Sequence, residues 1–284
     1  MQIKAFAKIN LCLNILGKRP DGYHELQSIM QSVSLADMLS LEEKAEGIII
    51  KCDNKNIPCD ASNTVYKAAA LLKDKYNIKQ GILIDIKKNI PWGAGLAGGS
   101  ADAAAALFGL NKLWKLNLTQ AQLLELGAQI GSDVPFCLQG GTVLVTGRGE
   151  HLQPISLHNT PKILLVVPEI NVSTAWAYTQ VPRGHVKPAQ DLAAVGQQGL
   201  LAGSKLLKND LEEYVCNKYE EILELKNSFK QLSAVFSLMS GSGAAVFGIF
   251  SDQKALKGAH SILKNKYKKT FIVEPMPSGM TILN

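Results

Sequence analysis

The clearest chemistry in the sequence lies in Pro91-Trp92-Gly93-Ala94-Gly95-Leu96-Ala97-Gly98-Gly99-Ser100-Ala101. Four glycines within seven residues (93 to 99) let the backbone come close to a ligand with no Cβ in the way. The run Asp102-Ala103-Ala104-Ala105-Ala106 follows and favours helix, so its free amides and positive dipole end would point back at the loop. Such a junction suits a phosphate group. A tight loop ahead of a core helix is the structural alternative. Walker A is excluded, because Gly98-Gly99-Ser100 contains no lysine. Gly93, Gly95 and Gly98 match the dinucleotide pattern literally, and Gly81 to Lys87 reads as a strand before it. Residues 117 to 122, however, offer no acid for a ribose.

Two further places hold candidate polar chemistry. Ile3, Ala5, Ala7, Ile9, Leu11, Leu13 and Ile15 alternate with Lys4, Lys8, Asn10 and Asn14, which predicts a strand with one buried face. Lys8 and Asn10 then point the same way, either into solvent or into a site. Asp133, in Gly131-Ser132-Asp133-Val134-Pro135-Phe136, reads by itself as a helix N-cap.

The elements that must position these residues are legible in outline. Further strands are expected over 28 to 52. Ser62-Asn63 caps a helix carrying Val65, Ala69, Leu72 and Tyr76, and Thr119 to Gln122 forms a capping box for a helix that Gly131 stops. The chain loosens around 154 to 161, which places a domain boundary between 1–156 and 161–284. The strand Lys162 to Val167 opens the second half, and a helix runs from Asn209-Asp210 towards Lys230. Residues 182 to 205 are rich in Gly, Gln, Ala and Pro and read as an excursion without nameable chemistry.

Composition narrows the class. The 284 residues are 46% apolar and 19% charged, enough for two globular domains. The net charge of +6 is spread out, without the dense stripe of a nucleic-acid binder. Five cysteines without a C-x-x-C, and histidines without metal-ligand spacing, suggest neither a disulfide framework nor a zinc site. No apolar run approaches about 18 residues and the first residues hold no signal core, so no membrane association and a cytoplasmic location are expected.

The glycine loop resembles the phosphate loop of the small-molecule kinases of galactose, homoserine, mevalonate and phosphomevalonate, the GHMP kinases. Ala7-Lys8-Ile9-Asn10 followed by Arg19-Pro20-Asp21-Gly22-Tyr23-His24-Glu25-Leu26 is more specific. It resembles the family of 4-diphosphocytidyl-2-C-methyl-D-erythritol kinases of the non-mevalonate isoprenoid pathway. Gly131 to Phe136 with Gly140-Gly141-Thr142, and Ser240-Gly241-Ser242-Gly243, follow in the family order. Ala245 stands where the last of these motifs usually has threonine. The resemblance covers nearly the whole chain.

It implies an α+β protein of two lobes, the first like ribosomal protein S5 domain 2 and the second ferredoxin-like, with the active site between them. It implies Lys8 and Asp133 as catalytic residues, Asp133 as the base, and residues 91 to 101 as the ATP site. Asn10, Tyr23, His24, Thr174 and Tyr178 would bind the acceptor, with Tyr23 and His24 on its cytosine. Ser100 would be a Mg²⁺ ligand, by analogy with sibling kinases. The reaction implied is transfer of the ATP γ-phosphoryl to the 2-hydroxyl of 4-diphosphocytidyl-2-C-methyl-D-erythritol. The expected partner is this small molecule rather than a nucleic acid, with the protein a monomer or weak homodimer. A sibling kinase has no use for Pro-Asp-Gly-Tyr-His. A silent nucleotide sensor would not need both Lys8 and Asp133.

Overall fold

The computed structural model describes residues 1–156, 162–182, 184–192, 194–195 and 206–283. The N-terminal lobe is built on a seven-stranded sheet of β1 (Gln2–Lys18), β2 (His24–Lys44), β3 (Ile48–Cys52), β4 (Gly81–Lys87), β5 (Thr142–Gly147), β6 (His151–Pro154) and β11 (Met280–Leu283). The main path is β11-β1-β2-β4-β3. The 21-residue β2 is long enough to pair β5 along Leu26–Gln31 and β4 along Met38–Lys44. Its helices are α1 (Thr64–Tyr76), α2 (Gly98–Leu113), α3 (Gln120–Ile130) and α4 (Val134–Gln139).

The second lobe holds α5 (Thr174–Thr179), α6 (Glu212–Lys218), α7 (Glu220–Gln231) and α8 (Gln253–Lys266). Its antiparallel sheet is ordered β10-β7-β9-β8, from β7 (Lys162–Val167), β8 (Phe236–Met239), β9 (Val246–Phe250) and β10 (Lys269–Val273). Strand, helix, two strands, helix, strand in this order is the ferredoxin-like arrangement, so the expected α+β architecture is the one observed.

The alanines after the glycine loop have a packing reason. Ala101, Ala103, Ala104, Ala105 and Ala106 are all buried, because α2 is enclosed by the sheet and its neighbouring helices. A Cβ on Gly109 would come within 2.8 Å of both Ile3 and Leu41, so the helix axis lies close to the sheet. Asn63 accepts the Val65 amide, and Thr119 and Gln122 close their capping box, as expected.

The structure departs from the sequence expectations at three places. β1 does not keep one alternation, because a bulge between Asn10 and Cys12 shifts it. Leu11 and Cys12 both join the first core, while Leu13 and Ile15 join the core of the second lobe. Of the two orientations open to the polar side of β1, the structure shows the enclosed one: Lys8, Asn10 and Asn14 are buried and only Lys4 is exposed. The helix expected from Asn209 to Lys230 is two helices, broken at Tyr219 by a non-helical backbone (φ −124°, ψ 84°).

The last departure concerns the chain ends. β11 pairs antiparallel with β1, so the C-terminal strand returns to the first sheet instead of ending in the second lobe. Residues 157–161, at the expected boundary, lie outside the described residues.

Candidate active site

A cavity of about 1000 Å³ opens against the glycine loop and receives side chains from both lobes. Pro91 through Ser100 all line it. Ala101 does not: it is buried, and its amide already donates to the Ala97 carbonyl at 2.9 Å. Ala97 occupies the N-cap of α2 in a left-handed conformation (φ 55°) and has no side chain to cap with. The first-turn amides of α2 are therefore left for a ligand. Trp92 stands 62% exposed at the rim.

The loop is held from behind by the 240s. Ser240 donates through Oγ to the Gly95 carbonyl at 3.0 Å and accepts the Asn10 amide at 3.2 Å, while the Ala245 amide donates to Ala94. Asn209 donates through Nδ2 to the carbonyls of Met239 and Gly241, at 2.8 and 2.7 Å. The glycines of the third motif thus serve close packing against the phosphate loop, and Ala245 in place of threonine keeps its backbone contact.

Gly95 is the tightest point. It has φ +75°, and a Cβ there would lie 2.2 Å from the Ser240 carbonyl oxygen. Gly95→Ala is expected to lower the melting temperature by several degrees and weaken ATP binding at least tenfold, by thermal denaturation and nucleotide titration. Unchanged values of both would show that the loop and the 240s are not rigidly coupled.

β1 supplies the residues at the cavity floor. Lys8 is 4% exposed, donates through Nζ to Asn10 Oδ1 at 2.6 Å and lies 3.9 Å from Asp133 Oδ2. Asn10 in turn donates to Ser28 Oγ at 2.9 Å, which fixes its amide. Gly241 takes φ +57°, which favours glycine, and a Cβ there would also crowd Lys8 Nζ at 3.2 Å. Asp133 occupies the N-cap position of α4, but its side chain makes no capping bond. The carboxylate is turned to Lys8 instead and keeps about a third of its surface open. Its N-cap position holds; the capping bond expected from sequence does not form.

The far side of the cavity is aromatic. The rings of His24 and Tyr178 lie 5.2 Å apart and tilted by 32°, while Tyr23 is 52% exposed with the Arg148 guanidinium 5.3 Å from its ring centroid. Burial, helped by the charge of Lys18, holds the His24 imidazole below its ordinary value, so the ring is neutral at pH 7. Burial, with the negative charge of Asp133 adding, pushes the Tyr178 phenol well up, so it stays a protonated donor. Thr174 Oγ1 and Ser242 Oγ lie 2.8 Å apart, tying α5 to the 240s.

Several residues at the site escaped sequence reasoning. Asn209 and Ser240 act through backbone contacts across thirty residues or more, which no local pattern reveals. Asn63, read from the sequence as a helix cap, caps α1 and also lines the cavity. Residues 184–192 are not a free excursion. Gln190 and Gln27 exchange two hydrogen bonds (2.7 and 2.9 Å), and the Lys187 amide donates to Leu16. Residues 183, 193 and 196–205 of the stretch expected there lie outside the described residues.

Asp37, Lys88 and Asp102 form a buried ion cluster under the start of α2. The two carboxylates keep Lys88 an ammonium against the cost of its burial. Burial first, and then the neighbouring Asp37, pushes the Asp102 carboxyl up to about 7.

Among the described residues no three of His, Cys, Asp and Glu are grouped to hold a metal ion. Ser100 nevertheless lines the same cavity as the α2 amides. Its hydroxyl suits a Mg²⁺ that takes most of its oxygens from phosphates and water. Among the described residues no helix is long and apolar enough to cross a membrane.

Comparison with known proteins agrees with this architecture. The GHMP kinases N terminal domain family matches residues 63–141, and the GHMP kinases C terminal family matches 188–269. A 4-diphosphocytidyl-2-C-methyl-D-erythritol kinase of Geobacillus sp. (strain WCH70) is 46% identical over 276 residues, 95% of each chain. One from Acetivibrio thermocellus is 42% identical over 278 residues, 96% of this chain and 98% of its own. A crystal structure of 4-(cytidine 5'-diphospho)-2C-methyl-D-erythritol kinase superposes with a TM-score of 0.83 at 30% identity, over 97% of this chain and 99% of that one. A homoserine kinase from Cytophaga hutchinsonii shares the fold (TM-score 0.79) at 19% identity. With two domain families in order and such identity over nearly its full length, the chain belongs to the GHMP kinases and, within them, to the 4-diphosphocytidyl-2-C-methyl-D-erythritol kinase family.

Proposed function

We propose that this protein transfers the γ-phosphoryl group of ATP to the 2-hydroxyl of 4-diphosphocytidyl-2-C-methyl-D-erythritol, with Asp133 as base and Lys8 as electrostatic partner. The observation that carries the assignment is the Lys8–Asp133 pair, 3.9 Å apart, lining one cavity together with the uncapped start of α2 and the His24–Tyr178 pair. The γ-phosphate is delivered from one side and a base-bearing alcohol from the other.

In the transfer, the acceptor O–H bond breaks and its proton passes to an oxygen of Asp133. The acceptor oxygen bonds to the γ-phosphorus, while the bond from phosphorus to the bridging oxygen breaks and leaves ADP. Lys8 faces the charge that develops on the acceptor and γ-phosphate oxygens, and Asn10, locked between Lys8 and Ser28, orients the acceptor. The amides at the start of α2 hold the phosphates. Mg²⁺, when bound, would neutralise phosphate charge, with the Ser100 hydroxyl as the protein oxygen to hold it.

Cytosine recognition falls to the aromatic side. Tyr23 and Tyr178 offer π-faces, and the neutral His24 offers one ring nitrogen to donate and the other to accept at a base edge. Tyr178→Leu is expected to raise KM for the cytidyl substrate roughly tenfold to a hundredfold, the usual weight of one base–aromatic stack. KM for ATP should stay within about threefold. A steady-state titration of each substrate checks this, and an equal rise in both KM values would remove Tyr178 from the acceptor site.

The defining test is ATP turnover with 4-diphosphocytidyl-2-C-methyl-D-erythritol, homoserine and mevalonate in parallel. Turnover of the cytidyl substrate alone is the expected result. Turnover of another alcohol would mean that Tyr23 and His24 do not read cytosine. ATP binding without any turnover would make the protein a nucleotide sensor.

A further inference from the structure

Lys8 and Asp133 carry opposite charges, yet the ammonium stays 3.9 Å from Asp133 Oδ2 instead of closing to the roughly 2.8 Å of a charged hydrogen bond. Something must hold it back. Among the described residues Lys8 Nζ makes one hydrogen bond, to Asn10 Oδ1 at 2.6 Å. Ser32, which faces Lys8 across the β1–β2 ladder, offers no hold: its hydroxyl is buried without a partner among the described residues. The restraint comes from Asn10.

Asn10 is itself anchored. Its Nδ2 donates to Ser28 Oγ at 2.9 Å, and Ser28 Oγ donates to the Cys12 carbonyl at 2.5 Å. A carbonyl only accepts, so the Ser28 hydrogen is committed to Cys12 and its oxygen faces Asn10 as an acceptor. The direction of each bond follows: Cys12 accepts from Ser28, Ser28 from Asn10, and Asn10 from Lys8. The chain ends in backbone at the β1 bulge between Asn10 and Cys12, where the Ile29 amide donates to Cys12 Sγ at 3.2 Å. Lys8, Asn10, Cys12 and Ser28 are all buried, so bulk water does not replace a lost partner.

We propose that Ser28 is a positioning residue for phosphoryl transfer: through Asn10 it holds the Lys8 ammonium off Asp133 and leaves the carboxylate open to the acceptor's proton. The inference rests on Lys8 and Asp133 being the reacting pair. A contact ion pair would set an N–H on the carboxylate oxygen that must take that proton, and would draw the cation away from the γ-phosphate. The rival is a serine that only fills and satisfies the core, whose loss lowers stability and leaves turnover alone.

The experiment is steady-state kinetics, melting and crystallography of full-length wild type, Ser28→Ala, Ser28→Thr, Asn10→Leu and the double variant Ser28→Ala with Asn10→Leu. Ser28→Ala is expected to lower kcat on the cytidyl substrate roughly tenfold or more, the scale of a misplaced catalytic group, with KM for ATP within about threefold. In its crystal structure Lys8 Nζ should have closed on Asp133 to hydrogen-bond distance. Ser28→Thr keeps the hydroxyl and should hold kcat within about threefold of wild type. In the Asn10→Leu background, Ser28→Ala should change kcat by less than about twofold, because the residue it acts through is gone.

A normal kcat in Ser28→Ala with a lowered melting temperature would overturn the inference and make Ser28 structural. So would an unmoved Lys8–Asp133 separation, a Ser28→Thr as slow as Ser28→Ala, or an undiminished effect in the Asn10→Leu background. Should Ser28→Ala not fold, Ser28→Cys keeps the volume with weaker hydrogen bonds and carries the same expectations. Failure of the wild type to turn over the cytidyl substrate would instead sink the functional reading itself.

Discussion

Replacing Asp133 by asparagine is expected to lower kcat on the cytidyl substrate by roughly three orders of magnitude or more, with KM for ATP changed little. Asn is isosteric but cannot accept the acceptor's proton, so the variant loses general-base catalysis, worth about 10²–10⁴. It also loses the opposite charge that holds the Lys8 ammonium, now 3.9 Å away, in register with the reacting oxygens. The fold should survive, because the Asp133 side chain makes no capping bond to α4 and a third of its surface is open. Single-turnover and steady-state rates, with a melting curve, measure this. A kcat within tenfold of wild type would transfer the base role to another group or to the phosphate itself.

Lys8→Met should be nearly as damaging to turnover and more damaging to the fold. Methionine fills most of the buried volume but removes the cation, and loss of one group that stabilises charge in the transition state costs about 10²–10³ in kcat. Asn10 Oδ1, which now accepts from Lys8 at 2.6 Å in a buried setting, is left without that donor. An unpaired buried acceptor costs about 1–3 kcal/mol, several degrees of melting temperature for a protein of this size. Loss of kcat together with a lowered melting temperature is therefore the expected signature. A variant that melts lower but turns over normally would make Lys8 a structural residue.

These two residues show what could be read from sequence. The alternation along residues 3 to 15 placed Lys8 and Asn10 on one side of a strand, and the Ala-Lys-Ile-Asn resemblance marked them as functional. What covers that side is not local. Ser240 and Gly241 arrive from more than two hundred residues away to close over Asn10 and Lys8. Asp133 was legible as a helix start and, by resemblance, as a base. That its carboxylate turns away from the helix to face Lys8 is a tertiary outcome, since a nearby ammonium outcompetes a free amide as partner.

By itself the sequence determined the local devices: the glycine loop ahead of α2, the Asn63 cap, the capping box at Thr119, and the order of motifs that marks the family. Each depends on neighbours a few residues apart, where backbone sterics and short-range hydrogen bonds decide. Only the tertiary structure decided where the bulge after Asn10 would divide β1 between two cores. The same holds for β11 returning to the first sheet and for Lys88 lying between two carboxylates from separate elements. Such outcomes follow from packing and charge balance among segments remote in sequence, where the desolvated interior makes each unpaired group costly.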